Sequence, residues 1–225
     1  MKLLGIDTAG NLCALCVWDG STNRCIASRS LPLDRGQAEH FFPLLEETLN
    51  AANIEMSAID KVAVNIGPGS FTGIRVGVAA ARGFGVALNI PVVGVTAFEV
   101  ISAEVQKAKK VIGPYAVALN GGRGQAFVQR YAQNGLANGM PEIVMLENIA
   151  DQIYAPDVNS FFGNAAHLVD AKRALISDDL AKAGIETIAA LGAVSTIKAS
   201  PLYMRAADAK IQEGFALPRL ETNLP

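Results

Sequence analysis

The chain has 225 residues, of which 51% are hydrophobic and 18% charged, with a formal net charge of −2. That length holds one large domain or two small ones around a buried core, and the composition excludes a disordered chain. No Lys/Arg cluster exceeds the pair Lys109–Lys110, so the overall charge excludes a protein that grips a duplex or a folded RNA unaided through a broad basic face.

In chain order, Lys2–Ile6 reads as a buried strand that ends on the polar pair Asp7-Thr8. Leu12–Trp18 and Cys25–Leu31 follow across the turn signal Asp19-Gly20, which makes an antiparallel meander. Gln37–Ala52 shows helical spacing with two apolar stripes, Phe41/Leu44/Leu45/Thr48 and Phe42/Leu45/Leu49. One stripe is expected to face the sheet. The other faces a partner or a neighbouring helix of the same chain. Lys61–Ile66 (strand), Phe71–Leu88 (helix), Pro91–Val95 (strand) and Ala97–Lys107 (helix) then alternate, as parallel strands with crossover helices do.

A second half begins near Lys110, and Glu104–Lys110 is the expected boundary. Tyr115–Asn120 and Gln125–Tyr131 read as strands around Gly121-Gly122-Arg123-Gly124, with a third at Glu142–Leu146. Helices are expected at Asn148–Tyr154, Ala165–Leu175 and Ile185–Ala193. The expected division is 1–106 and 107–199, with the tail from Ser200 (SPLYMRAADAK) docking back onto the first half. The longest uncharged run, Gly83 to Phe98, is interrupted by Pro91 and falls short of the ~20 residues of a membrane-spanning helix. An acid as early as Asp7 argues against a secretory leader, and Cys13, Cys16 and Cys25 form no disulfide framework, so a cytoplasmic protein is expected.

The richest segment is Gly67 to Gly85, GPGSFTGIRVGVAAARGFG. Gly67 and Gly69 permit a tight turn, and Ser70 is a good N-cap for a helix whose free amides can hold a phosphate. Together with Asp7 and Thr8 at the end of the first strand, Gly69 and Ser70 are the candidate nucleotide-binding residues. A plain strand-to-helix turn, with Asp7 as a turn cap, explains the same residues. No Lys follows in the Walker pattern, and Pro68 and Thr72 stand where a serine-nucleophile elbow needs glycines. Cys13 and Cys16 are three apart on a strand, so their thiols diverge, and no second ligand pair accompanies them; core cysteines are expected, with no metal and no cofactor. His40 reads as a packing or surface residue and His167 as lying near a loop-to-helix junction.

Gly73, Gly77, Ala80, Ala81 and Gly85 recur at helical spacing, and each interior glycine costs ~1 kcal/mol relative to Ala. Close approach to something compensates: a partner helix, or another element of this chain. The candidate partner-interface residues are Phe42, Leu45, Leu49, Ile74, Gly77, Val78 and Ala81, and no catalytic residue is identified.

The run GPGSFTGIRVGVAAARGFGVALNIPVVGVTAFE resembles the signature of the TsaB (YeaZ) family. LLGIDT, QAEHFFPLLEETL, ALNGGRGQAFVQ and SPLYMRAADA fall in the expected order around it. The long glycine-rich run is the specific part, and the other pieces are weaker. The resemblance implies an α/β fold of the acetate kinase/sugar kinase/Hsp70/actin-like class, with two RNase H-like halves. It implies a role in forming threonylcarbamoyladenosine beside the anticodon of tRNAs that read codons beginning with A. The chain would act as the partner of a catalytic TsaD-like paralogue, joined by a TsaE-like ATPase, and as a homodimer, with tRNA reached through the complex and no membrane.

The resemblance also implies a comparison. TsaD-like chains carry a His-x-x-x-His metal pair on the helix after the corresponding strand, whereas Ala97 and Ile101 stand at those positions here. Other departures are Gln37-Ala38-Glu39 in place of His-Ser-Glu, and Asn120 and Gln125 where acids are usual. The alternative is a nucleotide-binding ATPase or phosphotransferase that uses Asp7 and the Gly67–Ser70 turn. A peptidase, suggested by older names in the wider family, lacks its ligands.

Overall fold

The computed structural model describes residues 1–33, 36–108, 111–148, 156–174 and 184–205. β1 (Lys2–Asp7), β2 (Leu12–Asp19) and β3 (Arg24–Pro32) form the meander, and β4 (Lys61–Asn65) and β5 (Val92–Val95) extend it in parallel, in the order β3-β2-β1-β4-β5. β1, β2 and β4 are buried along nearly their whole length because the sheet is covered on both faces. Cys13 joins the core beneath α1 (Gln37–Ala52) and α2 (Phe71–Leu88), and Cys16 joins the core on the opposite face, so the two thiols diverge as their spacing requires.

α1 and α2 both end on an asparagine in the left-handed conformation, Asn53 and Asn89. α2 starts on Ser70, whose Oγ accepts the Gly73 amide at 3.2 Å. α3 (Ala97–Lys107) starts with a full capping box: Thr96 Oγ1 accepts the Glu99 amide at 3.1 Å, and Glu99 Oε2 accepts the Thr96 amide at 2.8 Å.

The second sheet repeats the logic of the first. β6 (Tyr115–Gly122), β7 (Gln125–Tyr131) and β8 (Glu142–Met145) are antiparallel, and β9 (Ser160–Phe162) adds beside β6 in parallel, in the order β8-β7-β6-β9. β9 has only three residues and no alternation to betray it in the sequence. The helix expected over Ala165–Leu175 is shorter: α4 spans Ala166–Val169. Asp170 stops it, since its Oδ1 accepts the amides of Lys172 (2.9 Å) and Arg173 (3.1 Å) in place of a further helical turn. Arg173 then bonds back to Asp170 and to the Val158 carbonyl. The helix expected at Asn148–Tyr154 lies outside the described residues except for Asn148, the last residue of a 3-10 turn, Leu146–Asn148.

Packing crosses the chain-order halves. α3 follows the first sheet, yet Phe98, Ile101 and Val105 pack with Tyr115, Val117 and Leu119 of β6, and Ser102 Oγ lies 2.6 Å from Tyr115 Oη. α5 (Ile185–Val194) follows the second sheet, yet Ile188 and Ala189 pack with Leu3, Cys16 and Ala63 of the first. Lys61 Nζ caps the end of α5 through the carbonyls of Ala193 (3.1 Å) and Ser195 (3.2 Å). α3 and α5 meet through the Thr187 hydroxyl and the Glu104 carboxylate. The described part of the tail docks on both halves: the Leu202 amide donates to Ile66 O at 2.8 Å, whereas Met204 packs against the core that α3 shares with β6 and Arg205 reaches the Gly121 carbonyl.

Gly73, Gly77 and Gly85 of α2 meet other parts of the same chain. A Cβ at Gly73 would sit 1.9 Å from Thr8 O, and one at Gly77 would sit 2.5 Å from Thr8 Oγ1. Gly83 has open space around it. Gly73→Ala and Gly77→Leu should therefore each lower stability by about 1–3 kcal/mol in urea unfolding, and Gly83→Ala should raise it by roughly 0.5–1 kcal/mol.

Candidate functional site

The candidate nucleotide residues do converge. β1 and β4 run side by side and deliver Asp7 and Asn65 to the same end of the sheet, and the loop after β4 carries Gly69 and Ser70 over them. Asp7 is 2% exposed, and its Oδ1 accepts the Ala9 amide (2.8 Å) and Asn65 Nδ2 (3.1 Å). Asn65 Oδ1 in turn accepts the Gly67 amide at 2.9 Å, and Gly67 O accepts the Ala97 amide at 2.8 Å. Asn65 is the member of this network that sequence reading missed. Its signal is a lone amide at the end of the apolar strand Lys61–Ile66.

The same geometry closes the site. Thr8 is fully buried and donates its hydroxyl to Gly73 O at 2.6 Å. The Ser70 amide donates to Ala9 O at 2.6 Å, so two of the groups that a phosphate would use, the Ser70 and Gly73 amides, are bonded within the chain. A Cβ at Gly69 would fall 2.1 Å from Ala9 O, so the glycine serves the approach of loop to loop. Burial pushes the Asp7 carboxyl up to about 6, against the lowering effect of its bonds to Ala9 and Asn65.

The candidate interface residues divide. Leu45, Ile74, Gly77, Val78 and Ala81 are buried between α1, α2 and the sheet, which removes them from reach of any partner. Core and interface share one apolar pattern in a sequence, and here the core claims these five. Leu49 is half-buried against the same core. Phe42 alone is fully presented, 61% exposed, with its ring edge-on to Phe41 (5.4 Å) and Phe84 (6.4 Å). The exposed face of α2 beside it bears Ala79, Gly83 and Val86, the last 85% exposed. These three were absent from the sequence-based set.

The departures from the family pattern have structural places. Gln37 is buried at the start of α1. Asn120 Oδ1 accepts the Gly122 amide at 2.8 Å within the hairpin, and Gln125 Nε2 lies 3.2 Å from Met145 Sδ. His40 and His167 are both exposed. Among the described residues no group of three His, Cys, Asp or Glu side chains is placed to hold a metal ion.

Comparison with known proteins decides the family. A family model described as "TsaD: tRNA N6-adenosine threonylcarbamoyltransferase" matches residues 33–212. The chain belongs to that family, and its curated relatives include proteins described as TsaB. One relative is the "tRNA threonylcarbamoyladenosine biosynthesis protein TsaB" of Escherichia coli K12, 33% identical over 43% of this chain and 40% of that protein. Another is the Bacillus subtilis 168 protein of the same description, 28% identical over 66% of this chain and 62% of that one. The match thus spans about half the length of these curated relatives. In fold the chain is similar to YeaZ from Pseudomonas aeruginosa, at 22% identity and a TM-score of 0.70, covering 90% of this chain and 99% of that one. A second structure, described as a protein with similarity to peptidase YEAZ from the same organism, aligns equally well, with TM-score 0.70 and 22% identity over 91% of this chain and 99% of that one. The two-sheet α/β fold is thus the fold of these YeaZ structures. At the positions compared with the TsaD-type metal pair, Ala97 and Ile101 are both buried in the core that α3 shares with β6.

The raised Asp7 carboxyl gives a pH signature. Its folded pKa, about 6, lies above the ordinary 3.8, so the proton is held more tightly in the folded state. Its contribution is full below pH ~4 and is lost as pH rises through ~6, on the order of 3 kcal/mol. Asp7→Asn should flatten the pH dependence of urea-unfolding stability in that window; an unchanged profile would show that Asp7 ionises freely in the folded chain.

Proposed function

We propose that this chain is an accessory, non-catalytic partner of a TsaD-like threonylcarbamoyltransferase in forming threonylcarbamoyladenosine next to the anticodon of tRNAs that read codons beginning with A. The observation that carries the reading is the pair Ala97 and Ile101. In a chain of this family, both are apolar and packed into the core where the catalytic paralogue is expected to place its metal-binding histidines. The relatives are threonylcarbamoyladenosine biosynthesis proteins, which supports the pathway. The protein acts in the cytoplasm, where a TsaE-like ATPase joins the pair, and the same face serves a homodimer when the paralogue is absent.

The contact face is the exposed side of the α1–α2 pair: Phe42 and Leu49 on α1, with Ala79, Gly83 and Val86 on α2. Phe42 and Val86 are large apolar groups left in water, and small residues between them let a partner helix come close. Binding there would favour an active arrangement of the paralogue in proportion to the difference in affinity for its two states. A nucleotide-dependent enzyme centred on Asp7 is less well supported, since Asp7 and Thr8 are sealed and bonded within the chain.

Light scattering on a sizing column, with the chain and the TsaD-like protein of the same organism mixed, should show a one-to-one complex. Phe42→Asp should weaken it more than tenfold while leaving stability within about 0.5 kcal/mol of the parent, because Phe42 is a surface residue. A complex that forms normally with Phe42→Asp would move the interface elsewhere. ATP turnover by the pure chain, abolished in Asp7→Ala, would favour the enzyme instead.

A further inference from the structure

The edge of α2 turned toward the tail differs from its apolar face. Arg75 lies over Phe71, with Cζ 3.7 Å from the ring centroid, and its Nε donates to Tyr203 Oη at 3.0 Å. The Phe71 and Tyr203 centroids are 5.0 Å apart, and the two residues are 41% and 44% exposed. Two helical turns on, Arg82 Nε donates to Ala199 O at 2.8 Å, next to the exposed Lys198. Arg205 follows, its guanidinium on the Gly121 carbonyl and 5.5 Å from the Phe127 ring centroid.

The charge around this cluster is one-sided. No Asp or Glu occurs between Asp60 and Glu99, nor between Glu186 and Asp208. These two segments build β4, α2, β5, most of α5 and the described tail, and they contribute cations alone to a chain whose net charge is −2. Of those cations, Lys61 is taken up by the end of α5, which leaves Arg75, Arg82, Lys198 and Arg205 along α2 and the tail. Exposed rings with a guanidinium laid against them are what unpaired bases stack on, and flanking cations are what the phosphates between them require. An acidic protein segment would use the cations but has no need of two exposed rings.

We propose that Phe71, Arg75 and Tyr203, flanked by Arg82 and Lys198, form a contact surface for unpaired RNA. The inference deepens the accessory reading, on which it rests for RNA being the substrate at hand. It places the RNA on the tail side of α2, away from Phe42, which packs against Phe84. On the helical wheel, at about 100° per residue, Phe71, Arg75 and Arg82 cluster on one side, Val86 borders them, and Ala79 and Gly83 turn progressively toward α1.

The test is a fluorescence-anisotropy titration of a labelled single-stranded RNA with the purified full chain at low salt. Tyr203→Ala and Arg75→Ala should each weaken binding about tenfold or more, the loss of roughly one stacked base. Tyr203→Phe, which keeps the ring and loses only the hydroxyl, should retain it. Lys198→Gln should reduce the slope of log affinity against log salt by about 0.7, one phosphate contact on a single strand. Wild-type chain that does not bind overturns the proposal, and so does duplex RNA of the same sequence that binds equally well. A role confined to anchoring the tail predicts a lowered melting temperature for Tyr203→Ala with RNA binding unchanged, and that result overturns it too. Phe42→Asp should bind RNA like the parent chain. Failure of the pairing reading would therefore show on the sizing column and leave this titration unaffected.

Discussion

The fit of α2 onto the turn after β1 is the constraint on which the rest of the structure depends. Gly69 and Gly73 leave no side chain between the start of the helix and the backbone of Ala9 and Thr8, and Gly77 makes room for the Thr8 hydroxyl. Interior glycines are poor helix formers, yet here their cost is offset by backbone-to-backbone approach and by bonds at 2.6 Å from Thr8 to Gly73 and from Ser70 to Ala9. Once α2 is seated, Asn65 is held against Asp7, Gly67 against the start of α3, and the tail against Ile66. Amides that an open loop would offer to a phosphate are thereby turned inward to hold the fold.

Much of the first half was legible in the sequence, and the reasons are particular. Apolar runs bounded by Asp19-Gly20 and by Gly67-Pro68-Gly69-Ser70 mark strands and helix starts by local chemistry alone, and the structure has them within a residue or two. The glycine stripe was legible as a close approach, but its target was not, because a helix of the same chain, a strand turn and a foreign helix all call for small residues. That is why Leu45, Ile74, Gly77, Val78 and Ala81 read as interface and proved to be core. The second half was harder. β9 is too short for periodicity, and α4 ends on an Asp170 turn that competes with helix locally. α5 is apolar on nearly every side, so its pattern cannot say which sheet it covers.

α2 also shows how one helix divides its circumference. One side is glycine and aliphatic, pressed on the sheet. A second, with Ala79 and Gly83 and with Val86 at its border with the arginines, is apolar and open. The third, Phe71, Arg75 and Arg82, is tied to the tail. Among the described residues α2 is the one helix long and apolar enough to cross a membrane, yet two arginines on its outer side and a seated inner side are those of a surface helix in an α/β protein. The apolar character serves packing on one side and exposure on another, and only the fold separates the two.

The exchange of α3 and α5 between the sheets has a bearing on how the chain is made. The first sheet has all five of its strands by Val95, but the helix that covers its second face arrives at Ile185. During synthesis, Leu3, Cys16 and Ala63 therefore wait uncovered while the whole second half is translated. α3 is in the converse position, formed early and without its β6 wall until Tyr115 and beyond emerge. Neither half can reach its final packing by itself, so the ribosome delivers a protein that closes late and all at once, through contacts of long sequence separation, rather than one lobe after the other.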